Sequence, residues 1–311
     1  MDNLVNGLHH ITAIAGNAQQ NYDFYTQILG LRFVKKTVNF DDPGTYHFYF
    51  GNYNADPGSI LTFFPWVNIR QGKPGIGQAI SVGYSVPEGA FGFWTERLHA
   101  FGVRFLPLEE RFGESVLGLY DPDGLLVELT VSANPDPRQA HTTKDFSQEV
   151  ALKGFHHTAL SLQNIGSTAR VLTDFLGYES MGFTGKRHRF VNPSATTARF
   201  IDLIEAPDGQ RGINAAGTIH HVAFRVPNDV AELALLEKLR SAGFQITDPI
   251  DRNYFHSLYF REPGGVLFEI ATDTPGFTVD EPLSSLGETL KLPPQYEAYR
   301  EQILEVLPVL H

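Results

Sequence analysis

The chain is expected to be an α+β protein made of four similar units, each a strand, a helix and then several strands, joined as two tandem pairs. Three observations predict this. One segment recurs in the second half of the chain, a second segment recurs in another register, and the apolar residues between them alternate as strands do, with turn residues at their ends.

The first register sets Gly7-Leu8-His9-His10-Ile11-Thr12 against Gly154-Phe155-His156-His157-Thr158. The same offset carries Ile28-Leu29-Gly30-Leu31 onto Phe175-Leu176-Gly177-Tyr178, the end of an amphipathic helix stopped by a glycine suited to a left-handed cap. The first unit therefore returns as the third. The second register sets Glu96 to Val103 against Glu237 to Phe244, again a helix ending at glycine, and Asp121-Pro122-Asp123-Gly124-Leu125-Leu126-Val127-Glu128 against Glu262-Pro263-Gly264-Gly265-Val266-Leu267-Phe268-Glu269. The second unit returns as the fourth.

Strands are predicted at Ile80 to Pro87 and His220 to Pro227, where apolar residues alternate or run together before a proline. The Asp-Pro-Asp-Gly and Glu-Pro-Gly-Gly tetrapeptides read as hairpin turns, with strands returning over Leu125 to Thr130 and Val266 to Ile270. The expected boundaries are a first pair over 1–133, a linker over 134–152, a second pair over 153–272 and a tail over 273–311. The linker begins polar and carries Pro135 and Pro137. The tail should end in a short helix from about Pro294 to Leu307, packed by Ile303, Leu304 and Leu307.

Composition narrows the chemistry. A length of 311 residues and a formal net charge of -11 describe a chain long enough for two domains, with no concentrated basic face for nucleic acid. No run approaches a membrane span, and the N-terminus lacks a basic and then apolar leader, so a cytoplasmic protein is expected. With no cysteine, disulfides and thiolate ligation are excluded, and any metal must be held by histidine and carboxylate. Twelve histidines are available, and the 24 Phe and 12 Tyr can line a pocket for an aromatic ligand as well as fill cores.

Three histidine pairs open three of the four units: His9-His10, His156-His157 and His220-His221. Alternation along a strand should send only one member of each pair into a given cleft. Glu269 closes the fourth unit within the apolar run Val266-Leu267-Phe268-Glu269-Ile270, where a carboxylate is costly unless paired or metal-bound. Two histidines and one carboxylate with open positions suit iron(II) and oxygen chemistry. His221 and Glu269 belong to one unit; the repeat pattern leaves the second histidine open between His10 and His157. Glu128 duplicates Glu269, but Ser81 stands near the position of His221, so Glu128 is read as a carboxylate at a domain edge or paired with a cation rather than as a vestigial or second metal ligand. His99, His141, His188 and His256 lack repeat support and are read as surface or structural. Tyr259, on the strand before Glu269, could donate a proton to a ligand or simply fill the core, and Arg252 could meet an anion or solvent.

These residues resemble the vicinal oxygen chelate superfamily (glyoxalase, bleomycin resistance and extradiol dioxygenase proteins) and, within it, the hydroquinone-type ring-cleaving dioxygenases, over nearly the whole chain. The resemblance rests on Gly7 to Thr12, on Gly217-Thr218-Ile219-His220-His221-Val222-Ala223-Phe224 and on the run from Asp251 to Glu269. Gly276-Phe277-Thr278-Val279-Asp280-Glu281, followed by Ser285-Leu286-Gly287, adds to it. It implies paired βαβββ units whose mixed, curved sheets form a metal-containing cleft, with Fe(II) (alternatives Mn and Zn) on His10, His221 and Glu269. It also implies that His9, Thr12, His220, Arg252 and Tyr259 surround the substrate or oxygen site, that the partners are a small aromatic diol and O2, and that the chain can form a homo-oligomer. The competing readings are a glyoxalase-like metal-dependent isomerase or lyase, and a non-catalytic protein that binds an aromatic or an antibiotic. Ser59-Ile60-Leu61-Thr62-Phe63-Phe64 offers no further carboxylate or glutamine to the first of these.

Overall fold

A computed structural model describes residues 4–311. Each expected unit is present. The first runs β1 (Leu8–Ala15), α1 (Ala18–Asp23), β2 (Arg32–Val38), β3 (Tyr46–Gly51) and β4 (Ile60–Pro65). The second contains β5 (Gln78–Val86), α2 (Phe91–Ala100), β6 (Glu109–Arg111), β7 (Glu114–Tyr120) and β8 (Leu126–Val131). The third contains β9 (Gly154–Leu162), α3 (Gly166–Arg170), β10 (Glu179–Thr184), β11 (Arg187–Val191) and β12 (Phe200–Glu205). The fourth contains β13 (Thr218–Val226), α4 (Asp229–Ser241), β14 (Ile250–Asp251), β15 (Phe255–Arg261) and β16 (Leu267–Pro275).

The helices stop where the glycines indicate. Gly30, Gly102, Gly177 and Gly243 all adopt positive φ, a backbone state open to a residue without Cβ. One feature is invisible in the pattern. α1 and α3 each continue into a π-helical turn, Phe24–Ile28 and Val171–Phe175, before reaching that glycine. Both hairpin turns are tied by their leading acid: Asp121 Oδ1 accepts from the backbone of Asp123 and Leu125, and the Glu262 carboxylate from Gly264 and Val266.

Two curved eight-stranded sheets result, and each draws on both tandem pairs. The outer sheet joins the first and fourth units in the order β14-β15-β16-β13-β1-β4-β3-β2; the inner sheet joins the second and third as β10-β11-β12-β9-β5-β8-β7-β6. The seams are antiparallel, β1 on β13 and β5 on β9. Thus each tandem pair contributes one unit to either sheet, so His10 and Glu269, far apart in the chain, lie on one sheet.

Both seams carry β-bulges, and the bulges locate the histidine pairs. In the outer seam Leu8 and His10 oppose Phe224 and Ala223, and Thr12 and Ala13 oppose His221 and Ile219, so His9 and His220 are extra residues. In the inner seam His156 and Ile80 occupy the corresponding positions. A bulge breaks strict alternation, which allows neighbouring rings to meet. The tail packs against β2: buried Lys35 donates to Asp280 at 2.7 Å and to Glu281 at 2.5 Å. Its terminal helix is split into a 3-10 segment, Pro294–Tyr299, and α5 (Arg300–Val306). Ile303 and Leu307 are buried as expected, but Leu304 is half exposed because it falls on the solvent side of that short helix. No helix among the described residues is long and apolar enough to cross a membrane.

Candidate metal centre

The seam of the outer sheet brings together His10 from β1, His221 from β13 and Glu269 from β16, with one ligand atom from each lying within 4.8 Å of the others. Glu269 is fully buried in its apolar strand. Its Oε1 accepts from Ser257 Oγ at 2.5 Å, while Oε2 faces His221 Nε2 at 2.9 Å and His10 Nε2 at 3.2 Å. The two Nε2 atoms are 3.4 Å apart.

Burial raises the cost of ionising Glu269, but His10 and His221 outweigh it and hold the carboxyl well below its ordinary range. Burial pushes the His221 imidazole the other way, below 6.5, so it is neutral at pH 7 despite Glu269. Oε2 and the two Nε2 atoms thus converge on one point, a set that can offer three ligand atoms to a cation. Apart from those two rings, Glu269 Oε2 has no hydrogen-bond donor among the described residues. The residues therefore fit a divalent metal of the kind bound by two histidines and a carboxylate.

The first histidine of each pair orients the second. His9 Nδ1 lies 2.9 Å from His10 Nδ1, and His220 Nδ1 2.8 Å from His221 Nδ1. For Nε2 of His10 and His221 to offer a lone pair, their Nδ1 must carry the proton and donate it to the neighbour, so the bulged histidine fixes the tautomer. His9 is held well below 6.5 by burial and by His10, and burial with His221 brings His220 down to about 3, so both act as neutral acceptors.

The cluster opens on a cavity of about 420 Å³ with aromatic walls that include Phe40, Phe64, Trp66 and Phe255. Of the residues singled out from sequence, His10, Thr12, His220, His221, Arg252 and Tyr259 line it. Glu269 lies just beneath. His9 does not reach it: this residue sits behind His10 against a separate space of about 150 Å³ beside Tyr254 and Phe277. The alternation rule had assigned one histidine per pair to a cleft, yet His220 and His221 share this one because His220 is a bulge residue. Tyr259 is opposite Glu269 in the β15-β16 register, and Arg252 Nε donates to its hydroxyl at 3.3 Å. Burial and the Glu269 charge raise the Tyr259 pKa, against Arg252, so the phenol keeps its proton.

His157 lies in the other sheet, where it meets Glu128 at 3.0 Å. Sequence reading overlooked His47, Tyr49 and Thr62. His47 Nε2 is 2.9 Å from Thr62 Oγ1, His47 Nδ1 is 3.0 Å from the Tyr49 hydroxyl, and Thr62 Oγ1 is 2.8 Å from Thr12 Oγ1. The alternation in Tyr46-His47-Phe48-Tyr49-Phe50 places His47 and Tyr49 on one face, but without a repeated histidine nothing singled it out.

The model of the Glyoxalase/Bleomycin resistance protein/Dioxygenase superfamily matches residues 7–129 and 177–270. The chain is 46% identical over 297 residues to "Putative ring-cleaving dioxygenase MhqO" of Bacillus subtilis (strain 168), covering 96% of this chain and 94% of that protein. It is 34% identical over 312 residues to the "Chlorohydroquinone/hydroquinone 1,2-dioxygenase" of Sphingobium indicum, covering 97% and 96%. A crystal structure of a "putative dioxygenase" from Bacillus subtilis superposes with a TM-score of 0.96 at 44% identity, covering 100% of this chain and 99% of that one.

Proposed function

Because this chain belongs to the Glyoxalase/Bleomycin resistance protein/Dioxygenase superfamily, we propose that it is an iron(II)-dependent, extradiol-type ring-cleaving dioxygenase acting with O2 on hydroquinone-like aromatic diols. The observation that carries this reading is a buried two-histidine, one-carboxylate cluster at the floor of an aromatic cavity. The 1,2-dioxygenase relative supports hydroquinones over catechols.

His10, His221 and Glu269 would hold the metal. Iron(II) bound there supplies Lewis acidity toward a ring hydroxyl and the redox capacity to activate O2. The side chains do the remaining work. Phe40, Phe64, Trp66 and Phe255 enclose a planar ring and keep water from it. Tyr259 receives the Arg252 N–H on its oxygen and also meets the Ser257 hydroxyl, and its raised pKa keeps the phenol protonated as a donor on the cavity wall. Arg252 supplies the fixed positive charge that matches an anionic diol or ring-opened product. One ring C–C bond breaks, and both atoms of O2 end in the product.

An isomerase of the glyoxalase type is less well served by these residues, since β4 brings the Thr62 hydroxyl to this region where a carboxylate base would be needed. The deciding experiment is anaerobic reconstitution with iron(II), followed by O2 uptake on hydroquinone, chlorohydroquinone and catechol. Stoichiometric uptake with loss of the aromatic absorbance is expected. Turnover of a hemithioacetal without oxygen consumption would overturn the proposal.

A further inference from the structure

The hydrogen-bond chain on the cavity wall has a direction that can be worked out from its buried end. Tyr49 is fully buried, its pKa is raised by that burial, and His47 Nδ1 is the acceptor that its hydroxyl meets among the described residues. A buried phenol with one partner must donate to it, since the opposite arrangement would strand its hydrogen. His47 Nδ1 is therefore the acceptor. Burial, then His10 and His221, hold His47 well below 6.5, so the ring is neutral and its one hydrogen lies on Nε2. That hydrogen goes to Thr62 Oγ1 at 2.9 Å. Thr62 then uses its own hydrogen on Thr12 Oγ1 at 2.8 Å, and the Thr12 hydrogen is left for the cavity that Thr12 lines.

We infer that Tyr49, His47 and Thr62 are positioning residues that polarise the Thr12 hydroxyl as a fixed hydrogen-bond donor, selecting ligands that present a deprotonated or hydrogen-free oxygen to that wall. The inference rests on the diol-binding reading above, but its geometry does not. The duplicated sheet shows that the chain is particular to this cavity. Thr12, Thr62 and Tyr49 are laterally aligned across β1, β4 and β3. The matching positions across β9, β12 and β11 are Ala159, Asp202 and Arg189, an ion pair with no hydroxyl relay. A neutral relay gives a donor of set polarity without adding charge beside the metal ligands, which Arg252 supplies separately.

The test reads the tautomer and the affinity independently of turnover. Histidine-selective 15N spectra of the diamagnetic zinc form, assigned with His47→Gln, should show His47 protonated on Nε2. Tyr49→Phe should bring in the Nδ1-protonated form and weaken hydroquinone binding, titrated without O2, about tenfold, with bound metal unchanged. Thr12→Val should weaken binding similarly, and Thr12→Ser should restore it. Protonation at Nδ1 in the unsubstituted protein, or unchanged affinity in both Tyr49→Phe and Thr12→Val, would overturn the inference. The expected tautomer and affinities in a protein that consumes no O2 would support the polarised chain and overturn the dioxygenase reading instead.

Discussion

The outer and inner sheets bury the same three positions and resolve them in opposite ways. In the outer sheet Glu269 faces two histidines, and among the described residues its Oε2 has no donor apart from them. In the inner sheet Glu128, just as buried, accepts from His157 at 3.0 Å and from Ser81, at the place of His221, at 2.6 Å, and it pairs with Arg111. Arg187 adds to this charge at 4.0 Å, and Arg189 links Asp202 with Glu114. Burial would lift the Glu128 pKa, yet His157 and the arginines hold it well below the ordinary range. Arg252, which the repeat register sets against Arg111, turns instead to Tyr259. A buried carboxylate needs a positive partner. In the inner sheet a guanidinium meets that need; in the outer sheet, among the described residues, no guanidinium pairs with Glu269, which leaves the need to the ion proposed above.

The sharpest way to break this contrast is to neutralise each carboxylate in turn. Glu269→Gln should abolish bound metal and O2 uptake, whereas Glu128→Gln should retain one ion per chain and turnover; elemental analysis and an oxygen electrode distinguish them. Metal retained in the first and lost in the second would exchange the roles assigned to the two sheets. His10→Ala and His157→Ala should divide the same way.

Stability should show the reverse asymmetry. Glu128→Gln leaves Arg111 and Arg187, partly exposed and still paired with Glu109 and Asp202, beside a neutral amide, so the loss should fall below the about 3–5 kcal/mol of breaking a fully buried pair. In metal-free protein, Glu269→Gln should cost less than Glu128→Gln, since it loses only the His10 and His221 contacts that hold the carboxyl low and strands no guanidinium. Urea denaturation of the metal-free pair measures both, and equal losses would show that Glu269 is satisfied without an ion.

Much of this is legible in the sequence, because duplication makes the chain its own comparison. The repeated His-His pairs and the matched Glu128 and Glu269 marked both sites, and Ser81 marked the inner one as altered. Sequence could not decide between His10 and His157, since that depends on which units share a seam, a long-range pairing with no local trace. Nor could alternation foresee His220 in the cavity or His9 behind it: each is a bulge residue, and a bulge is a property of two strands in register. His47 was missed because its importance lies in a hydrogen-bond chain across β3, β4 and β1 that no single strand displays.

The bulged histidines sharpen the comparison at a smaller scale. His9→Asn removes the ring that orients His10 through Nδ1, and such outer partners are worth roughly 10–100-fold in metal affinity. His156→Asn, the equivalent change beside His157, should leave metal affinity unchanged. Competition with a chelator reads the difference; equal affinity in the two variants would mean that the Nδ1 contact contributes nothing to ligation.

The smallest effect expected is the share of acid sensitivity that Glu114 of the inner sheet contributes. Burial raises the Glu114 pKa, but the hydrogen bond and charge of His156 and the Arg189 guanidinium bring it to about 2, from 4.5. A carboxyl with a lower pKa folded than unfolded stabilises the native state above the unfolded value, and that contribution is lost as the pH falls from about 4.5 to about 2. Glu114→Gln should therefore flatten the decline in stability over that interval without altering metal content at pH 7. If the decline is equally steep in the variant, the acid-labile partner is another carboxylate of the network, and Asp202, whose pKa burial raises but Arg189 and His157 depress, is the next to replace.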